Sequence, residues 1–352
     1  MPSNQIPINA VYYPSWRVYK DLPPSSLQLD YIDRILYAFV LLNEDGTLRF
    51  LDEFADLNKD VDGEKGCLRA LAKLKQQKPN LKTLVSIGGG SGSAEFPAMA
   101  ASPASRATFA RSCKEFVEQY QFDGVDMDWE YPTTKEAGKN YIAVLRELRE
   151  ALPSSQYLLT TALPTGEYYL KNINIRAARK LLDNLNLMGY DFTGSWTDVA
   201  GHHAQLLPQL GPQGHVYPAL RNSCHQGVEY LVSHGFPVHK IILGVPAYAR
   251  SFAGARGVGQ PFQSVAEMDY NDLPSEWIRD ATIDHHVVAA SYVDGTGKGF
   301  VSFDVPETVR RKADYVKRGR LGGLFYWTGV GDVKGPESLV RAGFEELNGS
   351  SS

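Results

Sequence analysis

Three carboxylates lie two residues apart within the segment Phe122–Pro132, at Asp126, Asp128 and Glu130. The apolar residues between them predict a β-strand, and side chains alternate between the two faces of a strand. The three acids therefore share one face, at intervals of roughly 6–7 Å. Because like charges at this spacing are costly unless a proton or a ligand intervenes, the pattern indicates a functional site.

A row of carboxyl groups is suited to acid–base chemistry, because their mutual interaction separates their pKa values. One carboxyl can then donate a proton while its neighbour stays charged, as cleavage of a glycosidic bond requires. A divalent metal site is the alternative use of three carboxylates. It is disfavoured because no His neighbours the row, so we predict neither a metal nor a cofactor.

The composition of the chain is that of an ordinary globular protein with a large core. Its 352 residues are 43% hydrophobic and 22% charged, with a net charge of −4 and no long basic run. This balance disfavours nucleic acid and anionic membranes as partners, and no apolar run approaches the ~18 residues of a membrane span. We expect a monomer.

The first residues of the chain show neither a basic segment nor an apolar one, so no signal peptide is predicted. This favours a cytoplasmic or otherwise intracellular location. The protein would be secreted if a signal segment had been removed.

Eight short apolar runs, most of them followed by an amphipathic helical pattern, predict an α/β protein with the (β/α)8 TIM barrel architecture. An open doubly wound sheet is the alternative. The predicted strands are Ile8–Tyr13, Ile35–Val40, Thr83–Ile87, Gly124–Glu130, Tyr157–Leu163, Leu185–Tyr190, Lys240–Val245 and Gly323–Trp327. The predicted helices are Cys67–Gln77, Ala104–Gln119, Asn140–Ala151, Arg176–Leu182, Gly227–His234 and Glu307–Arg318.

The connection between the last two strands is far longer than one helix and two loops require. We therefore predict a small α+β insertion between strands seven and eight that forms one wall of a cleft. The predicted units are 1–251 with barrel strands one to seven, 252–303 as the insertion, and 304–352 with strand eight, the last helices and a disordered tail.

The acidic segment resembles the DGxDxDWEYP signature of family 18 chitinases, and five further motifs resemble that family in the same order along the chain. The resemblance as a whole runs from Tyr12 to about Asp332, nearly the whole sequence. These motifs are Tyr37-Ala38-Phe39, Ser86-Ile87-Gly88-Gly89, Met188 to Trp196 with Gly201-His202-His203, Gly244 to Phe252, and Gly322 to Trp327.

The resemblance implies substrate-assisted cleavage of β-1,4-linked N-acetylglucosamine in chitin or chitooligosaccharides, with retention of configuration. Glu130 would be the general acid. Asp128 would accept the acetamido N–H and stabilise the oxazolinium ion, while Asp126 would hold Asp128 and share its proton. Tyr190 would donate its hydroxyl to the acetamido oxygen, and Asp191 would contact the same sugar.

The same resemblance implies a cleft lined largely by aromatic side chains, with Trp327 beneath the sugar that is distorted. The other expected substrate-binding residues are Tyr12, Trp16, Phe39, Gly89, Gly90, Tyr131, Met188, Trp196, Tyr248 and Arg250. It also implies non-proline cis peptides at Ala38–Phe39, Glu130–Tyr131 and Trp327–Thr328.

Three features depart from the family pattern. Gly90 stands where the family often has a Trp platform on the leaving-group side, Ala249 replaces a Gly, and the insertion is short. We expect weaker substrate binding on the leaving-group side and a looser loop at Gly90. Two alternatives on the same scaffold are a chitin-binding lectin without activity and an endo-β-N-acetylglucosaminidase acting on N-glycans.

Overall fold

The computed structural model describes residues 7–209 and 220–349. Eight parallel strands form the centre of this part of the chain, and their edges meet because the first strand pairs with both the eighth and the second. The predicted TIM barrel is therefore confirmed. Its strands are Ile8–Pro14, Arg34–Leu42, Lys82–Gly88, Gly124–Asp128, Leu158–Pro164, Asn184–Met188, Ile241–Pro246 and Gly323–Trp327.

The strand carrying the acids has the two faces that the sequence predicts. Val125, Met127 and Trp129 are buried between the barrel and its surrounding helices. The Trp129 ring stacks on Phe96, with centroids 5.3 Å apart and planes at 5°. The opposite face points into the barrel, where an apolar layer fills the space around the acids. That layer consists of Ala10, Tyr12, Leu36, Ala38, Phe39, Ala162, Met188, Ile242 and Phe325.

Two predicted strands end earlier than expected, each just before a candidate site residue. The fourth strand ends at Asp128 rather than Glu130, because the Glu130 backbone N–H donates to Ser93 Oγ at 2.9 Å instead of to a neighbouring strand. The sixth ends at Met188, and the chain then turns through Asp191, whose φ of 61° is left-handed. Both residues therefore lie on the loops at the carboxyl end of the barrel.

Helices surround the barrel and bury their apolar stripes on it. The helix predicted at Cys67–Gln77 is observed with the same bounds, and the other five predicted helices differ from the observed ones by one to five residues at one or both ends. Most of these differences are at the amino-terminal ends, where capping residues rather than apolar periodicity set the first turn. The α-helices are Cys67–Gln77, Phe96–Ala101, Pro103–Gln119, Lys135–Ala151, Glu167–Leu170, Ile175–Ala178, Cys224–Ser233, Ser275–Arg279, Pro306–Gly319 and Leu339–Asn348.

A separate five-stranded antiparallel sheet lies between barrel strands seven and eight, with the short helix Ser275–Arg279. Its strands, in spatial order, are Ser264–Asp269, Tyr248–Ala253, Gly299–Phe303, Ala289–Asp294 and Thr282–Asp284. The lobe sheet begins at Tyr248, so the boundary predicted at residue 252 falls inside a strand. Short pairings also occur at Leu48–Phe50 and between Asp60–Val61 and Glu64–Lys65.

In the described ranges, no helix combines the length and the apolar character that crossing a membrane requires. The predicted disordered tail lies mostly outside the described residues, which end at Gly349. The predicted location and monomeric state stay predictions.

Candidate active site

Asp126 lies in the middle of the barrel and accepts hydrogen bonds from four other strands. Its Oδ2 accepts from the Tyr12 and Ser86 hydroxyls, both at 2.8 Å. Its Oδ1 accepts from Thr160 Oγ1 at 2.6 Å and from Asn186 Nδ2 at 3.1 Å. Burial raises the pKa of Asp126, but the hydroxyl donors oppose that rise. Because donors favour the charged form, Asp126 is the best stabilised carboxylate of the row.

Asp128, one step nearer the opening, has the opposite environment. It is 3% exposed, and its Oδ1 has no hydrogen-bond partner within residues 7–209 and 220–349. Burial, with the nearby Glu130 and Asp126 carboxyls, raises the pKa of Asp128 well above its ordinary range. The expected contact in which Asp126 holds Asp128 is not formed here, because the described donors take up both Asp126 oxygens. Direct proton sharing between them stays a prediction.

Glu130 follows the strand and lines the cavity above Asp128. Burial and the negative charge of Asp191 raise its pKa, which keeps the proton on this carboxyl to higher pH than in water. The peptide that follows, Glu130–Tyr131, is cis, as are Ala38–Phe39 and Trp327–Thr328, so all three predictions are confirmed.

A buried arginine lies at the base of the same barrel, and no motif in the sequence indicated it. Arg34 is 5% exposed, and one of its terminal nitrogens donates to Asn184 Oδ1 at 2.9 Å. Its positive charge lowers the pKa of Asp126, against the larger effect of burial. Arg34 thus provides a counter-charge on the side away from the opening.

A cavity of about 620 Å³ opens above the acidic row. It contains most of the predicted site residues, together with several from the loop after strand five that no motif indicated. Its lining residues are Tyr12, Phe39, Gly90, Asp128, Glu130, Tyr131, Pro164, Thr165, Gly166, Tyr169, Met188, Tyr190, Asp191, Phe192, Trp196, Asn222 and Trp327.

Aromatic rings form one end of this cavity. The Trp327 ring stacks on Phe39, with centroids 5.6 Å apart, and meets Tyr12 edge-on at 5.5 Å. Trp16 continues the series, 6.2 Å from Phe39, and is 37% exposed. Trp16 extends the aromatic surface beyond the cavity rather than lining it.

Tyr190 enters the cavity from the loop after strand six. Burial, with the nearby Asp128 and Asp191 carboxyls, raises the pKa of its phenol well above the usual value. The hydroxyl therefore keeps its proton and is available as a hydrogen-bond donor next to the acidic row.

Tyr248 and Arg250 contact Asp191, which lines the cavity, and Tyr248 also lines a second cavity of about 340 Å³ together with Trp327. Their expected role in substrate binding stays a prediction. The Tyr248 hydroxyl and an Arg250 nitrogen donate to Asp191 Oδ1 at 2.6 and 2.5 Å. Arg250 is 3% exposed and also pairs with Glu267 at 2.7 Å. Both residues come from the first strand of the lobe, so the lobe orients an acid on the barrel.

Gly88 and Gly89 allow close packing around the Asp128 backbone and the Phe39 ring. A Cβ at Gly88 would lie 2.3 Å from the Asp128 carbonyl oxygen, and one at Gly89 would lie 2.5 Å from the Phe39 ring. Both glycines have positive φ. Gly89 therefore shapes the cavity through Phe39 and does not line it.

The loop that contains Gly90 is anchored at Ser93, and the looser loop and the weaker substrate binding expected at Gly90 stay predictions. Ser93 is buried, and its hydroxyl contacts the carbonyl oxygens of Gly89 and Asp128 at 2.9 and 3.2 Å. At Gly90 itself, a Cβ would lie 3.7 Å from Glu130 Oε2. The missing side chain thus widens the site directly beside the acid.

Over the described ranges of the chain, no group of three or more His, Cys, Asp or Glu side chains is arranged to hold a metal ion. The three acids follow one another in a row and form no such group, and the described contacts of Asp126 are with hydrogen-bond donors.

The family model for "Glycosyl hydrolases family 18" matches residues 8–332. Endochitinase 1 of Metarhizium robertsii is 32% identical, over 97% of this chain and 85% of that protein. Chitinase 1 of Aphanocladium album is 33% identical, over 98% and 86%.

Among solved structures, Group IV chitinase of Ostrinia furnacalis superposes with a TM-score of 0.87 at 27% identity, covering 97% of this chain and 99% of that one. A second structure of that enzyme, in complex with allosamidin, gives 0.85 at 27% identity, covering 96% and 97%. With the family model matching nearly its whole length, the chain belongs to glycosyl hydrolases family 18.

Proposed function

We propose that this protein is a retaining chitinase that hydrolyses β-1,4-linked N-acetylglucosamine polymers and oligomers with the help of the substrate's own 2-acetamido group. The chain belongs to family 18, and its relatives named above are called endochitinase and chitinase. The common glycosidase mechanism, in which a second carboxylate is the nucleophile or base, is replaced in family 18 by this substrate-assisted route.

The proposal rests mainly on the difference between the hydrogen-bond partners of Asp126 and those of Asp128. Asp126 has its donors within the protein, whereas Asp128 lines the cavity with a buried oxygen that lacks one among the described residues. A buried acceptor without a partner is costly, so a ligand N–H that reaches it is strongly favoured. The acetamido N–H of an N-acetylated sugar supplies such a donor, whereas an unmodified glucose unit does not.

The remaining groups then have separate tasks. Glu130, with its raised pKa, gives its proton to the glycosidic oxygen as that bond breaks. Asp128 holds the acetamido group so that its carbonyl oxygen attacks the anomeric carbon and forms the oxazolinium ion. Tyr190 donates to that oxygen, and Trp327 packs beneath the sugar. Water then attacks from the face that the leaving group occupied, which retains the configuration.

The two alternatives fit the site less well. A lectin needs no buried acid with a raised pKa at the cavity surface, and Glu130 is one. An endo-β-N-acetylglucosaminidase would use the same acetamido chemistry, but the relatives compared above are named chitinases.

The test is hydrolysis of the fully N-acetylated hexamer, with the anomers of the first products resolved by NMR, beside the fully deacetylated hexamer as a matched substrate. We expect β-anomeric products from the acetylated chain and no cleavage of the deacetylated one. Initial α-anomers, or equal cleavage of both hexamers, would contradict the mechanism. Release of an intact N-glycan with no cleavage of the hexamer would favour the second alternative.

A further inference from the structure

Two tyrosines in the short helix Glu167–Leu170, which follows strand five, extend the cavity in a direction that no sequence motif indicates. Tyr169 lines the cavity beside Tyr131, with ring centroids 4.5 Å apart. Tyr168 meets Tyr169 edge-on at 5.0 Å and is 64% exposed. The three rings form a continuous surface, here called the tyrosine platform, that leads from the residue after Glu130 to the solvent.

The order of the strands places the tyrosine platform away from Trp327. In a closed barrel of eight strands, the fourth lies opposite the eighth, and Trp327 ends the eighth. Tyr131 follows the fourth strand, and Tyr168 and Tyr169 follow the fifth. Glu130 lies between the two aromatic surfaces, so a sugar chain that passes over Trp327 and Glu130 continues toward the platform.

The described residues leave the path beside the acid open in this direction. Gly90 has no side chain there, and at Gly166, which precedes the two tyrosines, an added Cβ would meet no atom within 4 Å. The Lys171 ammonium lies 5.0 Å from the centroid of the Tyr168 ring and helps to hold that exposed ring in place.

We propose that Tyr168 and Tyr169 bind the N-acetylglucosamine units on the leaving-group side of the cut, in place of the side chain that Gly90 lacks. The inference rests on the proposed function for the position of the cut. The apolar face of a pyranose ring packs on an aromatic ring, and the exposure of Tyr168 fits a unit that lies at the edge of the cleft. The platform therefore favours substrates with several sugars beyond the cut over those with a small leaving group.

The test compares Tyr169→Ala, Tyr168→Ala and Tyr169→Phe with the wild type on two substrates. One is the N-acetylated hexamer, and the other is a chitobioside with a small aryl leaving group. We expect Tyr169→Ala to raise KM for the hexamer about tenfold, with a much smaller rise for the aryl chitobioside. Tyr168→Ala should give the same difference between the two substrates with a smaller rise in KM for the hexamer. Tyr169→Phe should keep KM for the hexamer close to that of the wild type. Equal effects on both substrates, or none, would overturn the platform.

Tyr230→Ala is the control, because this tyrosine lies on the outer helix Cys224–Ser233 and stacks on His234 rather than on the cleft. A binding measurement separates the platform from the proposed function. Hexamer binding to Glu130→Gln, with and without Tyr169→Ala, needs no turnover, and we expect the second change to weaken it about tenfold. If the wild type has no chitinase activity but hexamer binding still depends on Tyr169, the proposed function is rejected and the platform is kept. Turnover together with binding that ignores Tyr169 would reject the platform alone.

Discussion

The two ends of the acidic row, here called the base (Asp126) and the mouth (Asp128 and Glu130), place a carboxyl group in opposite environments. At the base, Asp126 has donors on both oxygens and Arg34 below it. At the mouth, Asp128 has a buried oxygen without a described partner, and Glu130 faces the cavity. The base satisfies its carboxyl group with hydrogen bonds from the protein, whereas the mouth keeps unsatisfied groups for a substrate. Such a division is typical of active sites, where function limits stability.

The largest effect is expected at the mouth, on replacing Glu130 with Gln. The amide cannot donate a proton to the leaving oxygen, so kcat on the N-acetylated hexamer should fall by about 10²–10⁴. Hexamer binding should stay measurable, because the shape of the side chain is kept. Stopped assays and calorimetric binding check the two parts.

Glu136→Gln is the matched control for this variant, since it changes an exposed glutamate in the first turn of the helix Lys135–Ala151. It should behave like the wild type. Near-normal turnover by Glu130→Gln would reassign the acid and remove the main difference between base and mouth.

At the base, Thr160→Val should destabilise the protein by about 1.5–3 kcal/mol, the usual contribution of a hydrogen bond to a charged group. The Thr160 side chain is fully buried on the fifth strand, and its hydroxyl donates to the Asp126 carboxylate at 2.6 Å. Denaturant unfolding at neutral pH measures the loss, and a loss below about 1 kcal/mol would contradict a hydrogen bond to a charged acceptor.

Asp128→Asn should stabilise the folded protein by about 1–2 kcal/mol at pH 7–8, although it removes a proposed catalytic group. The pKa of Asp128 is raised in the folded state, so its stability contribution is complete below the unfolded pKa and is lost as the pH rises through the folded pKa. The advantage of the Asn variant should therefore grow with pH and vanish below about pH 4.

Asp126→Asn, the same change one step deeper, should destabilise instead, because it places an amide against donors from Tyr12, Ser86 and Thr160. Melting temperatures of both variants across pH 3–8 compare the two positions. If both variants shift in the same direction at neutral pH, the contrast between base and mouth fails.

The smallest effect is expected where the lobe reaches the mouth. Tyr248→Phe removes one donor to Asp191 but leaves the Arg250 contact. One hydrogen bond of about 1 kcal/mol corresponds to a rise of roughly fivefold in KM, with little change in kcat. Steady-state kinetics on the hexamer test this, and a fall in kcat with KM unchanged would place Tyr248 in the chemical step instead.

The local sequence pattern was sufficient to predict much of the fold. Alternation along Gly124–Asp128 predicted which side chains face the barrel interior, and apolar periodicity predicted the eight strands to within a few residues. The ends of the strands were less certain, because Glu130 leaves the sheet for a bond to Ser93 on another loop. The start of the lobe was misplaced for a related reason, since Tyr248–Ala253 reads as a continuation of strand seven but pairs with Gly299–Phe303, far along the chain.

The sequence by itself determined that three acids share one face of a strand, because the period of a β-strand is a local property. It could not determine which acid has hydrogen-bond donors within the protein. The donors to Asp126 come from positions 34, 40, 60 and 114 residues away, on four different strands, and only closure of the barrel brings them together. Likewise, Arg34 and Tyr169 carry no motif, and their places below and beside the acidic row follow from the order of the strands around the barrel.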